Sequence, residues 1–151
     1  MRQVADVYLF GGITLVSEIA LPELPLVQHH SAEPHPVHIR LGDVPNRLPQ
    51  AVEIDPDCFA TPTYYWLRIH GIGCYLVTNG EEIIVSPEAG ARPLDVRAYL
   101  LGTLFVALCQ QRHLLPLSLI ARSICRLRNE LESLACRSPI FAPNLMCKTV
   151  G

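Results

Sequence analysis

Four of the six histidines lie close together in the chain and form its densest group of potential metal ligands: His29, His30, His35 and His38. Imidazole is a common ligand of zinc and of other transition metals. Neither carboxylate nor thiolate spacing supports a metal site here, and the helical i, i+4 pair of zinc hydrolases is absent. We therefore favour a solvated loop over a metal site and predict no metal ligand.

The six cysteines are the candidate nucleophiles. None lies in a C-x-x-C pair, which argues against a zinc site and against dithiol redox chemistry. Cys58 and Cys74 could each pair with a histidine, but no local signature marks either thiol as activated. The N-terminal sequence lacks the apolar region and cleavage site of a signal peptide, so we expect reduced thiols and a cytoplasmic location. No catalytic residue is predicted.

The acidic and aromatic side chains have structural explanations. Tyr64, Tyr65 and Trp66 could stack on a ligand, but neighbours in a strand point to opposite faces, so the three cannot share one surface. We expect one or two of them in the core. Carboxylates near turns and at the helix start suit the local backbone there. They are Asp55, Asp57, Glu81, Glu82 and Asp95.

Composition narrows the class of protein. The chain has 151 residues, of which 50% are hydrophobic and 17% charged, as expected for one globular domain rather than a disordered chain. A net charge of -2 argues against binding to nucleic acid or to an anionic membrane. The longest charge-free apolar run, residues 98–109, is shorter than the about 20 residues of a membrane-spanning helix. We predict a buried core helix there.

Short strands separated by turn residues dominate the pattern. Gly11-Gly12 and Asn79-Gly80 are hairpin signals, and the last three predicted strands form consecutive antiparallel neighbours. Residues 42–49 have turn chemistry, and residues 51–62 are ambiguous. The predicted strands are residues 4–10, 13–17, 37–41, 63–70, 74–77 and 81–87.

One main helix follows the strands. Apolar residues recur at helical spacing from Asp95 to Arg112, and Pro116 is expected to end the helix. Gly102 in its interior predicts a close backbone approach. Residues 21–26 alternate leucine with proline and glutamate and predict an extended loop packed by leucines.

The predicted fold is α+β: an antiparallel sheet built from hairpins, packed by one main helix and followed by a C-terminal helical tail. Residues 1–117 form the α+β domain, and residues 118–151 form the tail. The tail carries an apolar stripe typical of an amphipathic helix. Its members are Ile120, Ile124, Leu127, Leu131 and Leu134.

Several segments together carry a resemblance to a known family. They are residues 67–77, the acidic hairpin at residues 79–83 and residues 95–117, with residues 21–24 and 37–42 fitting as well. In these segments the chain resembles the N-terminal region of HPr serine kinase-related proteins. That family includes kinase-like proteins found beside lasso-peptide and similar peptide-modification genes. The resemblance covers about residues 4 to 117.

The resemblance implies ATP-dependent serine phosphorylation of a protein or peptide by the full-length form, with ATP and magnesium as cofactors. In the family, the Leu-Leu-Pro-Leu segment is followed by His-Ala-Ser, a strand and a P-loop. This chain diverges at Ser118 and contains no G-x-x-x-x-G-K-[ST] motif, so no catalytic or cofactor-binding residue is carried over. A frameshift or premature end of the gene is one explanation of the divergence, whereas the leucine stripe of the tail is more typical of a selected helix.

The sequence therefore predicts a truncated HPr serine kinase-like protein: an accessory domain without its ATP-binding part. Leu114, Leu115 and Leu117 are the candidate domain interface, against which the missing kinase domain would pack. The alternative is a stand-alone protein- or peptide-binding module whose tail helix recruits a partner. Both hypotheses call for a protein or peptide partner.

Overall fold

The computed structural model describes residues 5–28, 34–46, 48 and 51–114. In this part of the chain eight strands form one sheet, and one helical segment packs on it. The strands are β1 (Asp6–Phe10), β2 (Ile13–Ser17), β3 (Val37–Leu41), β4 (Val52–Asp55), β5 (Cys58–Ala60), β6 (Tyr64–Ile69), β7 (Gly73–Thr78) and β8 (Glu82–Pro87).

The hairpins form where the turn residues predict them. β1 pairs antiparallel with β2, and β6, β7 and β8 are consecutive antiparallel neighbours. Asn79 and Gly80 have φ of 52° and 66°, the two positive values that a type I′ turn requires, and the Glu81 amide donates to the Thr78 carbonyl at 3.0 Å. The ambiguous residues 51–62 contain a further antiparallel hairpin, β4–β5.

The sheet is mixed, and the predicted antiparallel sheet is wrong at β3. The strand order is β1-β2-β3-β8-β7-β6-β5-β4, and β3 pairs parallel with both β2 and β8. Turn signals fix the direction of strands joined by short loops. β3 is reached through longer connections, which impose no antiparallel direction, and it lies between the edge strands of the two hairpin units. The α+β class is as predicted, whereas the predicted tail at residues 118–151 lies outside the described residues.

The helical segment over residues 93–111 is continuous but not uniform. It consists of α1 (Pro93–Tyr99), a π-helical stretch (Leu100–Leu104) and α2 (Phe105–Gln111). Pro93 suits the first turn because its missing N–H would lack a helical partner there. Gly102 lies in the π-helical stretch, and a Cβ at this position would meet no described atom within 4 Å. The predicted close approach at Gly102 is therefore wrong for the described residues.

The main core lies between this helix and one face of the sheet. Phe105 contacts Phe10 with ring centroids 4.2 Å apart, and the Tyr75 hydroxyl donates to the Val96 carbonyl at 3.2 Å. Burial raises the pKa of the Tyr75 phenol. The most buried side chains of this core include Leu15, Leu21, Ile39, Val77, Ile83, Leu100, Leu104 and Leu108.

A second apolar contact lies on the opposite face. Trp66 stands between Tyr65 and Leu67, which belong to the main core, so strand alternation directs its side chain away from the helix. Its indole N–H donates to the Pro45 carbonyl at 2.6 Å, and the indole is only 2% exposed. The predicted turn segment therefore folds over the sheet and covers the tryptophan.

The connector between β2 and β3 is tied to α1 by a shielded ion pair. Arg97 Nε lies 2.8 Å from Glu23 Oε1, and both side chains are only 17% exposed. The other carboxylate oxygen, Oε2, is buried without a hydrogen-bond partner among the described residues. In the same connector Leu21 is completely buried and Leu24 packs against the core, as the predicted leucine-packed loop requires, whereas Leu26 is 64% exposed.

We predict that Arg97→Ala lowers the free energy of unfolding by about 3 kcal/mol, because it leaves the Glu23 carboxylate buried without its counter-charge. The double variant Glu23→Leu with Arg97→Leu should recover most of this loss, since no uncompensated charge remains. Urea unfolding followed by the fluorescence of Trp66, the single tryptophan, measures both effects. Equal losses in the single and double variants would contradict this account.

Candidate functional site

The end of the helix is fixed to two other parts of the fold. The Gly80 amide donates to Gln111 Oε1 at 2.7 Å, and the Arg112 guanidinium donates through Nε to the Gly80 carbonyl. Through Nη2, Arg112 also donates to the His35 carbonyl at 2.9 Å. One arginine thus joins the helix end, the β7–β8 turn and the residues before β3.

Gly80 permits this contact as well as the turn. A Cβ at this position would lie 2.7 Å from Arg112 Cγ, closer than real Cβ atoms approach their neighbours. The Asn-Gly hairpin signal therefore has a second role that the sequence alone does not reveal. It leaves space for the arginine side chain that crosses the turn.

The helix ends before Pro116, as expected, and its last turn is closed by a Schellman motif. His113 has φ of 55°, its amide donates to the Gln110 carbonyl at 3.0 Å, and the Leu114 amide donates to the Cys109 carbonyl at 2.9 Å. Glycine is the usual residue at the left-handed position, and a histidine there has a steric cost. The cap turns the chain, and Leu114 is left 41% exposed.

A small depression lies beside Leu114, just after the helix cap. Its volume is about 190 Å³, below the roughly 300–1,000 Å³ of small-molecule sites. It has room for an apolar side chain but not for a nucleotide. We call this region the exit surface; its lining residues are Gly12, Ile13, Pro34, His35, Arg112 and Leu114.

Of the predicted domain interface, Leu114 lies on the exit surface and is exposed. Leu115 and Leu117 lie outside the described residues. The sequence did not single out Gln111 and Arg112 as functional residues. Only the presence of a cation at a helix C-terminus could have drawn attention to Arg112, because its carbonyl acceptors come from distant segments.

Two of the described thiols, Cys58 and Cys109, are buried. Cys58 donates to the Tyr65 hydroxyl at 3.3 Å. Burial raises the pKa of the Tyr65 phenol, and the hydrogen bond from Cys58 raises it further. Burial also raises the pKa of the Cys109 thiol, although the nearby Arg112 charge acts in the opposite direction. A buried thiol with a raised pKa is a poor nucleophile.

Cys74 lies in β7 and His70 in the turn between β6 and β7, and the two side chains have separate partners. Arg68 Nε donates to Cys74 Sγ at 3.3 Å, a contact that raises the pKa of the guanidinium. His70 Nε2 lies 2.9 Å from Asp57 Oδ2 in an exposed pair. Within the described part of the chain, neither Cys58 nor Cys74 is hydrogen-bonded to a histidine.

The histidines considered as metal ligands do not form a cluster among the described residues. His29 and His30 lie outside the described residues, while His35 contributes its carbonyl to Arg112 and His38 lies half-buried in β3. No group of three or more metal-ligating side chains occurs in the described ranges. Tyr65 faces the main core, away from the buried Trp66, as the strand alternation predicts.

Comparison with known proteins gives no family assignment. No protein-family model, no curated protein and no solved structure matches the chain. Among the described helices, none is long and apolar enough to cross a membrane. The described residues form an α+β domain. Hydrogen bonds of Gln111 and Arg112 to Gly80 fix the end of its helix.

We predict that His113→Gly raises the free energy of unfolding by about 1 kcal/mol, because glycine adopts the left-handed conformation without a Cβ penalty. The matched control is Gln110→Gly, three residues earlier on the exposed side of α2, which should lower stability by about 1 kcal/mol. Urea unfolding compares the two. A loss of stability in His113→Gly would contradict the assigned cap.

Proposed function

We propose that residues 1–117 form the accessory, non-catalytic domain of an HPr serine kinase-like protein, and that the exit surface docks this domain against the ATP-binding part. The observation that carries the proposal is the position of Leu114. It is an exposed leucine held by a rigid cap, beside a depression of side-chain size, where the resemblance to the family ends. The serine kinase activity would belong to the full-length form.

The contacts around Leu114 support a docking role rather than a catalytic one. Arg112 is held by two backbone carbonyls, so the helix end changes little when a partner arrives, and little conformational entropy is lost. Interfaces between domains combine an apolar centre with a polar rim. Leu114, followed in sequence by Leu115 and Leu117, supplies the apolar centre, and Arg112 supplies part of the rim.

The absence of a P-loop from the sequence supports the assignment of ATP and magnesium to the other part of the protein. The depression at the exit surface is smaller than a nucleotide site. The described thiols are buried or in contact with Arg68. In this proposal the domain positions the kinase part or its protein or peptide substrate and performs no chemistry itself.

The first test is the affinity of the full chain for magnesium-ATP, measured by isothermal titration calorimetry. We expect no saturable heat at millimolar nucleotide, because the sequence contains no P-loop motif whose backbone N–H groups would hold the phosphates. Micromolar, magnesium-dependent affinity would overturn the assignment as a non-catalytic domain.

The second test is docking of the full chain to a separately expressed ATP-binding domain of an HPr serine kinase-like protein. Leu114→Asp should weaken binding about tenfold or more, because it places a charge in the apolar centre. Leu41→Asp is the matched control. Leu41 is 42% exposed, close to the 41% of Leu114, and lies at the end of β3 far from His35. Equal affinities of the two variants, or no binding by the unmodified chain, would overturn the docking role.

A further inference from the structure

The two edges of the sheet differ in how the chain protects them. Beyond β1, residues 25–27 add a short antiparallel segment: the Val27 amide donates to the Val7 carbonyl at 2.8 Å, and the Leu9 amide donates to the Pro25 carbonyl at 3.3 Å. This segment satisfies backbone groups of β1 that would otherwise face solvent. One edge of the sheet is therefore closed by the chain itself.

The other edge is β4, which pairs only with β5 among the described residues. All four residues of β4 are exposed. Val52 and Ile54 are 70% and 57% exposed, large values for branched apolar side chains in a sheet. An edge strand of this kind presents unpaired N–H and C=O groups together with apolar surface.

The edge is also acidic. Glu53 and Asp55 alternate with the two apolar residues, and neither carboxylate is ion-paired within the described part of the chain. Asp57, in the turn that follows, is occupied by His70. An added strand would therefore meet two uncompensated negative charges at the positions between the apolar ones.

We propose that β4 binds an extended segment of a partner polypeptide, in which apolar residues alternate with lysine or arginine, as a ninth strand of the sheet. Main-chain hydrogen bonds supply affinity in this mode of recognition, and alternate side chains supply specificity. Here basic side chains would face Glu53 and Asp55, while the apolar ones would cover Val52 and Ile54.

The negative charges of Glu53 and Asp55 also disfavour the binding of acidic strands. Pairing of β4 with β4 of a second copy would bring acidic side chains opposite each other, and like charges across a strand pair are destabilising. The register irregularity between Glu53 and Asp55 further restricts pairing to a short segment. Repulsion of acidic strands, together with attraction of basic ones, gives selectivity for a basic strand. The proposal does not depend on the role of the exit surface.

The test uses the full chain and an eight-residue peptide of alternating valine and lysine, capped at both ends and labelled with a fluorophore. Fluorescence anisotropy at nanomolar peptide should give saturable binding. N-methylation of the amides along one edge of the peptide should weaken it about tenfold, because the added strand loses its hydrogen bonds. An alternating valine–glutamate peptide should not bind.

The variant Glu53→Lys with Asp55→Lys should reverse the preference, so that it binds the valine–glutamate peptide and loses about tenfold in affinity for the valine–lysine peptide. Asp43→Lys with Glu81→Lys, at two exposed acidic positions outside β4, is the matched control and should keep the original preference. Trp66 fluorescence verifies folding. Absence of saturable binding, equal binding of the N-methylated peptide, or an unchanged preference in the β4 variant would each overturn the proposal.

Discussion

Burial of the helix against one face of the sheet is the interaction on which the other features depend. Leu100, Leu104 and Leu108 recur at four-residue spacing and are almost fully shielded from solvent. Each such leucine contributes about 1.5–3 kcal/mol relative to an exposed one. This packing fixes where the helix ends, and it thereby brings Arg112 within reach of the β7–β8 turn and of the residues before β3.

The helix covers only one face and only part of the sheet, so other segments cover the opposite face and one edge. Residues 42–46 cross the opposite face and cover Trp66, and residues 25–27 close the edge beyond β1. Apolar side chains stay exposed at the exit surface, at Leu114, and at the edge strand β4. Both expose apolar side chains next to charged ones, which is the composition expected of surfaces that meet other polypeptides.

Features that arise from neighbouring residues can be predicted from the sequence alone. Asn79-Gly80 specifies a turn because both positions need positive φ, and Gly11-Gly12 does the same for the first hairpin. The apolar spacing from Asp95 to Arg112 determined the helix, with boundaries correct to within two residues. Strand alternation also determined that Tyr65 and Trp66 face opposite sides of the sheet. In each case the physical cause acts over a few residues.

Features that depend on distant segments arise only in the folded molecule. β3 pairs parallel with strands of two separate hairpin units, and its own residues do not encode this direction. The carbonyl acceptors of Arg112 come from Gly80 and His35, more than thirty residues away along the chain. The left-handed conformation of His113 contradicts the local preference for glycine at such a cap, so the residue type at position 113 does not reveal the cap. Periodicity and turn chemistry report local conformation, whereas these contacts exist only after the helix has packed on the sheet.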